Sequence, residues 1–193
     1  MKNLSIERIV RYFERIGEPD YAEFMRWDGV VGKKILGVRI KEIHRYAKEL
    51  IPYLNSDNEL AYNFIKSLCT SDIRELQQLG ASLLKQINPK TFGEKLPDLL
   101  DEIIPYIKNW EFCDTLSSVV AYEIPFGKMV EYAGGDEWSA RFGLVCSIFA
   151  IRKELDLKSA LKILDVVIEK NPKPSSQLKK AIKWAKREFT AKQ

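Results

Sequence analysis

Residues 70–89 read TSDIRELQQLGASLLKQINP. Thr70 or Ser71 is placed to cap a helix by accepting a hydrogen bond from its first free N–H groups. Ile73, Leu76, Leu79, Leu83 and Leu84 then recur at three- and four-residue spacing and make one inward face. Asn88-Pro89 stops the run. The same period extends in both directions from here, and no convincing period-two run interrupts it. The chain reads as all-α.

Toward the N-terminus, Ser5 caps a first helix with Ile6, Ile9, Val10 and Phe13 on one face, ended by Gly17-Glu18-Pro19-Asp20. A short helix runs from Asp20 through Trp27, and Gly29, Gly32 and Gly37 mark a loop. A third helix spans Arg39 to Leu50 and is closed by Pro52, and Asp57 or Asn58 opens a fourth with Leu60, Phe64 and Leu68. Toward the C-terminus, Thr91 and Glu94 have capping-box spacing, Pro97 suits a first turn, and Pro105 kinks the helix end. Trp110 begins a seventh helix limited by Pro125, and a short one around Lys128 to Tyr132 ends at Gly134-Gly135. Asp136 caps a long apolar helix through Leu155, and Asp156 caps the next, to Lys170. Asn171-Pro172-Lys173-Pro174 is a break, after which Ser175 or Ser176 caps the last helix. About eleven helices with short connections exceed a four-helix bundle. They fit antiparallel pairs stacked into an α-solenoid of degenerate repeats, one helical-repeat domain over 1–193 with a concave surface.

Composition excludes several kinds of chemistry. The chain has 193 residues, 31 Lys+Arg against 27 Asp+Glu, and one histidine. Charged residues make up 30% and the apolar set 46%, the balance of an ordinary globular domain. Cys69, Cys113 and Cys146 have neither metal-ligand spacing nor a disulfide framework, and His44 alone cannot build a histidine-rich zinc site. No metal and no cofactor is expected, so hydrolytic chemistry falls to carboxylates, lysine or arginine. No Gly-rich phosphate loop is present. No apolar run approaches the roughly 18 residues of a membrane span. The first residues hold no signal-peptide core, which points to a cytoplasmic protein with reduced thiols. Nothing demands an oligomer, and a monomer is expected.

The net charge of +4 hides an asymmetry. From Lys158 to Gln193 ten basic residues face three acidic ones, a local +7 that leaves −3 for the rest. Such a segment suits a polyanion, although a solvated basic helix face has the same composition. Lys179, Lys183 and Arg187 form a stripe beside Trp184, with Lys186 next to it. Trp110 and Asp114 lie four apart, and Trp138 and Arg141 three apart. Taken singly, tryptophans at helical spacing are packing residues, a lone Asp near a helix start is a cap, and His44 and Cys113 are an exposed residue and a small apolar one.

Together these segments resemble a known family. Asn109-Trp110-Glu111-Phe112-Cys113-Asp114 looks like the aromatic-acidic-x-x-Asp motif of the AlkD-like DNA alkylation repair glycosylases, with Glu111 where the family often has Asp. Asp136-Glu137-Trp138-Ser139-Ala140-Arg141-Phe142 resembles its Trp-x-x-Arg helix. Ala181-Ile182-Lys183-Trp184-Ala185-Lys186-Arg187-Glu188 resembles its C-terminal signature, and Leu36-Gly37-Val38-Arg39 and Arg74-Glu75-Leu76-Gln77 look like upstream family segments.

The resemblance implies a HEAT-like α-solenoid with a concave basic groove. It also implies excision of positively charged N3- and N7-alkylpurines from double-stranded DNA. Asp114 would stabilise the developing sugar cation, and Trp110 and Trp184 would wall it by cation–π attraction. Arg141 would contact the phosphate backbone and keep Asp114 ionised. Lys179, Lys183, Lys186 and Arg187 would bind phosphates without reading sequence. Some proteins of this fold bind DNA without excising bases, so the competing reading is a non-catalytic module for bent or branched DNA. A helical-repeat scaffold for proteins is a further alternative.

Overall fold

In a computed structural model the described residues are 4–30, 33–153 and 155–192. They form eleven α-helices: α1 (Ile6–Ile16), α2 (Pro19–Trp27), α3 (Ile40–Leu54), α4 (Asn58–Cys69), α5 (Arg74–Ile87), α6 (Lys95–Ile103), α7 (Trp110–Val120), α8 (Phe126–Ala133), α9 (Glu137–Ala150), α10 (Leu157–Lys170) and α11 (Ser176–Thr190). Single 3₁₀ turns lie at Pro89–Phe92 and Ile104–Tyr106. Among the described residues there is no strand, only an isolated parallel bridge between Lys34 and Ile73. The all-α class is as the periodicity predicts. No helix among the described residues is long and apolar enough to cross a membrane.

Five of the start signals work as read: Ser5, Asp57, Asp136, Asp156 and Ser175 each accept, through the side chain, the N–H three residues on. Two do not. Thr70 and Ser71 leave α5 uncapped, because its N-cap is Ile73 and Ser71 accepts only the Ile73 N–H before the helix. The second helix, α2, starts at Pro19 after Glu18 rather than at Asp20. Other boundaries shift for local reasons. Pro52 does not close α3, because it sits on the exposed side while Leu54 beyond it is fully buried. Burying Leu54 is worth about 1.5–3 kcal/mol and offsets one missing surface hydrogen bond. The spacing of Thr91 and Glu94 makes no capping box, since Gly93 at φ 51° breaks the chain between them and Glu94 is an uncapped start. The long helix opened by Asp136 ends at Ala150 rather than Leu155. Its last turn tightens to three-residue bonds, Arg152 N to Phe149 O and Lys153 N to Ala150 O, and Leu155 N returns to Ala150 O.

The chain divides into two compact units, one up to Phe112 and one from Cys113. In the first, α5 packs against α3 and α4 and is buried from Arg74 through Leu84. In the second, α9 packs against α8, α10 and α11 and is buried from Ala140 through Ile148. Contacts between a helix and its next-but-one neighbour, α3 with α5 and α9 with α11, give each unit helical-repeat packing. Gly143 lets α9 lie close to α8: a Cβ there would stand 2.7 Å from Ala133 N and from Met129 O.

Two upstream motifs prove to be one device. The Glu75 side chain is fully buried and accepts from the backbone N–H groups of Leu36 (2.9 Å), Gly37 (3.0 Å) and Val38 (3.3 Å). Arg74 donates to Glu75 (3.1 Å), to Val38 O (3.0 Å) and bidentately to Glu111 (2.8 and 2.5 Å). Gly37 adopts φ 84°, and a Cβ on it would sit 2.2 Å from Glu18 O, so only glycine fits. Gly29 shares the predicted loop, while Gly32 lies outside the described residues. Glu75→Ala strips three backbone donors and a buried guanidinium of their acceptor. We expect a loss of about 3–5 kcal/mol in urea unfolding. A loss under about 1 kcal/mol would show that the loop holds without it.

Candidate active site

Asp114 and Arg141 are 27 residues apart and in contact. Asp114 lies on the part of α7 that belongs to the second unit, and Arg141 on the buried α9. Arg141 donates from Nε to Asp114 Oδ1 (3.0 Å), and from Nη2 to Oδ1 (2.9 Å) and Oδ2 (2.8 Å). Its Nη1 donates to the backbone oxygen of Gln177 on α11 at 2.6 Å. The planar guanidinium fork thus fixes the carboxylate in place and orientation. Arg141 is 4% exposed, whereas the Asp114 side chain retains 23% exposure. The carboxylate is held from behind and remains reachable, with acceptor capacity left on Oδ2.

Burial pushes the Asp114 carboxyl above the usual aspartate range, and the Arg141 hydrogen bonds and charge pull it back. The expected effect of Arg141 is present, but burial outweighs it. The phosphate-contact role expected for Arg141 meets a guanidinium that is buried and committed at Nε, Nη1 and Nη2.

Trp184 lies two helical turns beyond Gln177 on α11, so the two share a flank. Its ring meets Phe149 of α9 edge-on at 5.8 Å, and its indole N–H donates to Glu188 at 3.1 Å. Glu188 also accepts from Arg152 at 3.3 Å. Burial would raise the Glu188 carboxyl, but the indole N–H and the Arg152 guanidinium bring it below its ordinary value. The indole is therefore locked by an anionic acceptor that the C-terminal signature contains without a role, although its four-residue spacing from Trp184 was the available signal. Gln177 acts through its backbone and leaves no such signal.

Trp110 is half-buried in the first unit, and its indole donates to Asp28 O at 3.3 Å. Trp138 is half-buried, and His44 is exposed as expected. Cys113 is fully buried, and burial raises its thiol well above the ordinary range, which suits packing rather than nucleophilic attack. Arg187 is exposed, 3.7 Å from Glu188. Lys179, Lys183 and Lys186 lie elsewhere: with Ile168, Asn171, Pro172, Pro174 and Ile182 they line a groove between α10 and α11. At about 100° per residue that flank of α11 is far from the one bearing Gln177 and Trp184. Among the described residues no group of three His, Cys, Asp or Glu side chains is placed to hold a metal ion.

A family model described as DNA alkylation repair enzyme matches residues 9–193, and the chain belongs to that family. Membership ties the protein to alkylation repair and implies DNA as a partner. No curated protein and no solved structure matches the chain.

Arg141→Ala leaves Asp114 buried with no counter-charge. We expect the Asp114 carboxyl to titrate at higher pH, read by carboxyl-carbon NMR, and a stability loss of about 3–5 kcal/mol at neutral pH. The sign follows from the direction of the shift. A carboxyl raised in the folded state stabilises that state while protonated, and this contribution is lost as pH rises through the folded value. The penalty of Arg141→Ala should shrink below that titration, where Asp114 carries no charge. An equal penalty at both ends of the range would mean that the pair's charge is irrelevant.

Proposed function

We propose that this protein is a DNA glycosylase that excises positively charged N3- and N7-alkylpurines from duplex DNA. The observation that carries the reading is Asp114: a partly exposed carboxylate, fixed in a bidentate grip by a buried arginine. Alkylation puts a positive charge on the purine, so the base departs with the glycosidic electron pair and becomes neutral. No proton donor to the leaving group is required. Positive charge develops on the deoxyribose, where a preorganised carboxylate stabilises it in a setting less polar than water. Water then attacks the anomeric carbon and releases its proton, for which Asp114 Oδ2 is an acceptor.

We assign Arg141 to orienting Asp114, and Trp110 and Trp184 to walls that favour the sugar cation by about 0.5–2 kcal/mol each. Arg187 is assigned to phosphate binding. The lock on Trp184 by Glu188 supports this, because a wall contributes most when its ring is already held.

The test is release of 3-methyladenine or 7-methylguanine from methylated duplex DNA. We expect release by the intact protein and a roughly 10²–10³-fold slower single-turnover rate for Asp114→Asn, with DNA affinity retained. DNA binding with no release at saturating protein would favour a non-catalytic binding module.

The pH profile gives an independent check. Asp114 acts ionised, and burial raises its carboxyl. The acid limb of the single-turnover rate is therefore expected above the usual aspartate range, with activity rising as pH rises through it. A limb at or below the ordinary value would remove Asp114 as the titrating group.

A further inference from the structure

The groove between α10 and α11 has a volume of ≈ 460 Å³ and two kinds of wall. Its floor is apolar, with Ile168, Ile182, Pro172 and Pro174, and Ile168 is 40% exposed. Its rim is Lys179, Lys183 and Lys186, at successive four- and three-residue steps along α11. Among the described residues none of these lysines pairs with a carboxylate, and no acidic side chain lines the groove. Like charges at this spacing repel one another and destabilise the helix slightly. An exposed isoleucine beneath them adds a second unfavourable feature, so the arrangement suits an occupant that relieves both.

We propose that this groove docks an acidic amphipathic segment of a partner protein, with apolar side chains seated against Ile168 and Ile182 and carboxylates along the three lysines. A helix bearing acids at i, i+4 and i+7 matches the lysine steps in spacing and in sign. The apolar floor decides against a phosphate backbone as occupant. DNA phosphates pair with lysines but offer nothing to bury isoleucine and proline. The groove lies on the flank of α11 away from Gln177 and Trp184, so a docked segment leaves the Asp114–Arg141 site unobstructed. The inference does not depend on the proposed excision chemistry.

The experiment titrates ¹⁵N-labelled full-length protein with a synthetic 14-residue helical peptide bearing Glu at i, i+4 and i+7 and Leu on the adjoining face. A same-composition scrambled peptide and a short unmodified DNA duplex serve as separate arms. The expected result is amide shifts concentrated at 168–186 with the patterned peptide alone. Binding should weaken at least roughly tenfold in Ile168→Asp and in Lys179→Glu/Lys183→Glu. These sites are exposed, and unchanged thermal unfolding of each variant would show that folding is intact. Four outcomes overturn the proposal: no shift at about 1 mM peptide; equal binding of the scrambled peptide; affinity indifferent to Ile168→Asp; or groove amides that respond to the duplex and not to the peptide. Self-association of the protein through this face, seen by sedimentation and abolished by Ile168→Asp, would equally replace the partner with a second copy.

Discussion

A guanidinium on a helix buried on nearly every side must be given fixed acceptors, and in the second unit this constraint decides much else. α9 carries Arg141 inside its buried stretch, where water cannot satisfy the donors. Asp114 and the backbone oxygen of Gln177 take them instead, which sets α7 and α11 against α9 at defined heights. Such a pair is a poor route to stability alone, because desolvation consumes most of the Coulombic gain and a hydrophobic pair of similar volume does as well. What it provides that a leucine would not is a carboxylate held still while 23% exposed. That is the physical reason for reading the pair as machinery rather than as packing.

The first unit supplies the contrast. Arg74 and Glu75 on α5, with Glu111, use the same ingredients to a different end. The Glu75 side chain is fully buried, and its oxygens are occupied by backbone N–H groups of 36–38 and by Arg74. No face is left for a substrate, so the group fastens the loop between α2 and α3 onto α5. Glu111 has the reach to meet the Arg74 fork bidentately, which gives the Glu at this motif position a structural use. Two buried arginine–carboxylate sets in one chain thus separate by exposure: one closes a loop, and the other presents an oxygen.

Local physics was legible in the sequence, and long-range placement was not. The side-chain caps at Ser5, Asp57, Asp136, Asp156 and Ser175 were readable because a cap concerns only the next three residues. The helix around residues 74–87 was readable because its period is local. The boundary at Pro52 was misjudged because burial of Leu54 is a tertiary fact. Of the candidate site, Asp114 and Arg141 could be named only through family resemblance. Their contact spans 27 residues, and nothing in either motif says that they meet. Buried Glu75 ran against the ordinary expectation that glutamate is exposed, which three backbone donors overrode.

The basic segment shows most plainly why composition is not location. Its excess of positive charge was visible as soon as the residues were counted, and it suggested one basic stripe beside Trp184. A helix turns about 100° per residue, so Lys183 and Trp184, adjacent in sequence, face different neighbours. Trp184 turns to Phe149 and Glu188, while Lys183 joins Lys179 and Lys186 over an apolar floor from α10. One helix therefore carries two chemistries on two flanks. The charge that the sequence presents as a single patch divides between Arg187, on the side of Glu188, and the lysines of the α10 groove. Phosphates pair with cations but leave isoleucine and proline uncovered, and that apolar floor is the observation on which the proposed docking role of the lysine flank rests.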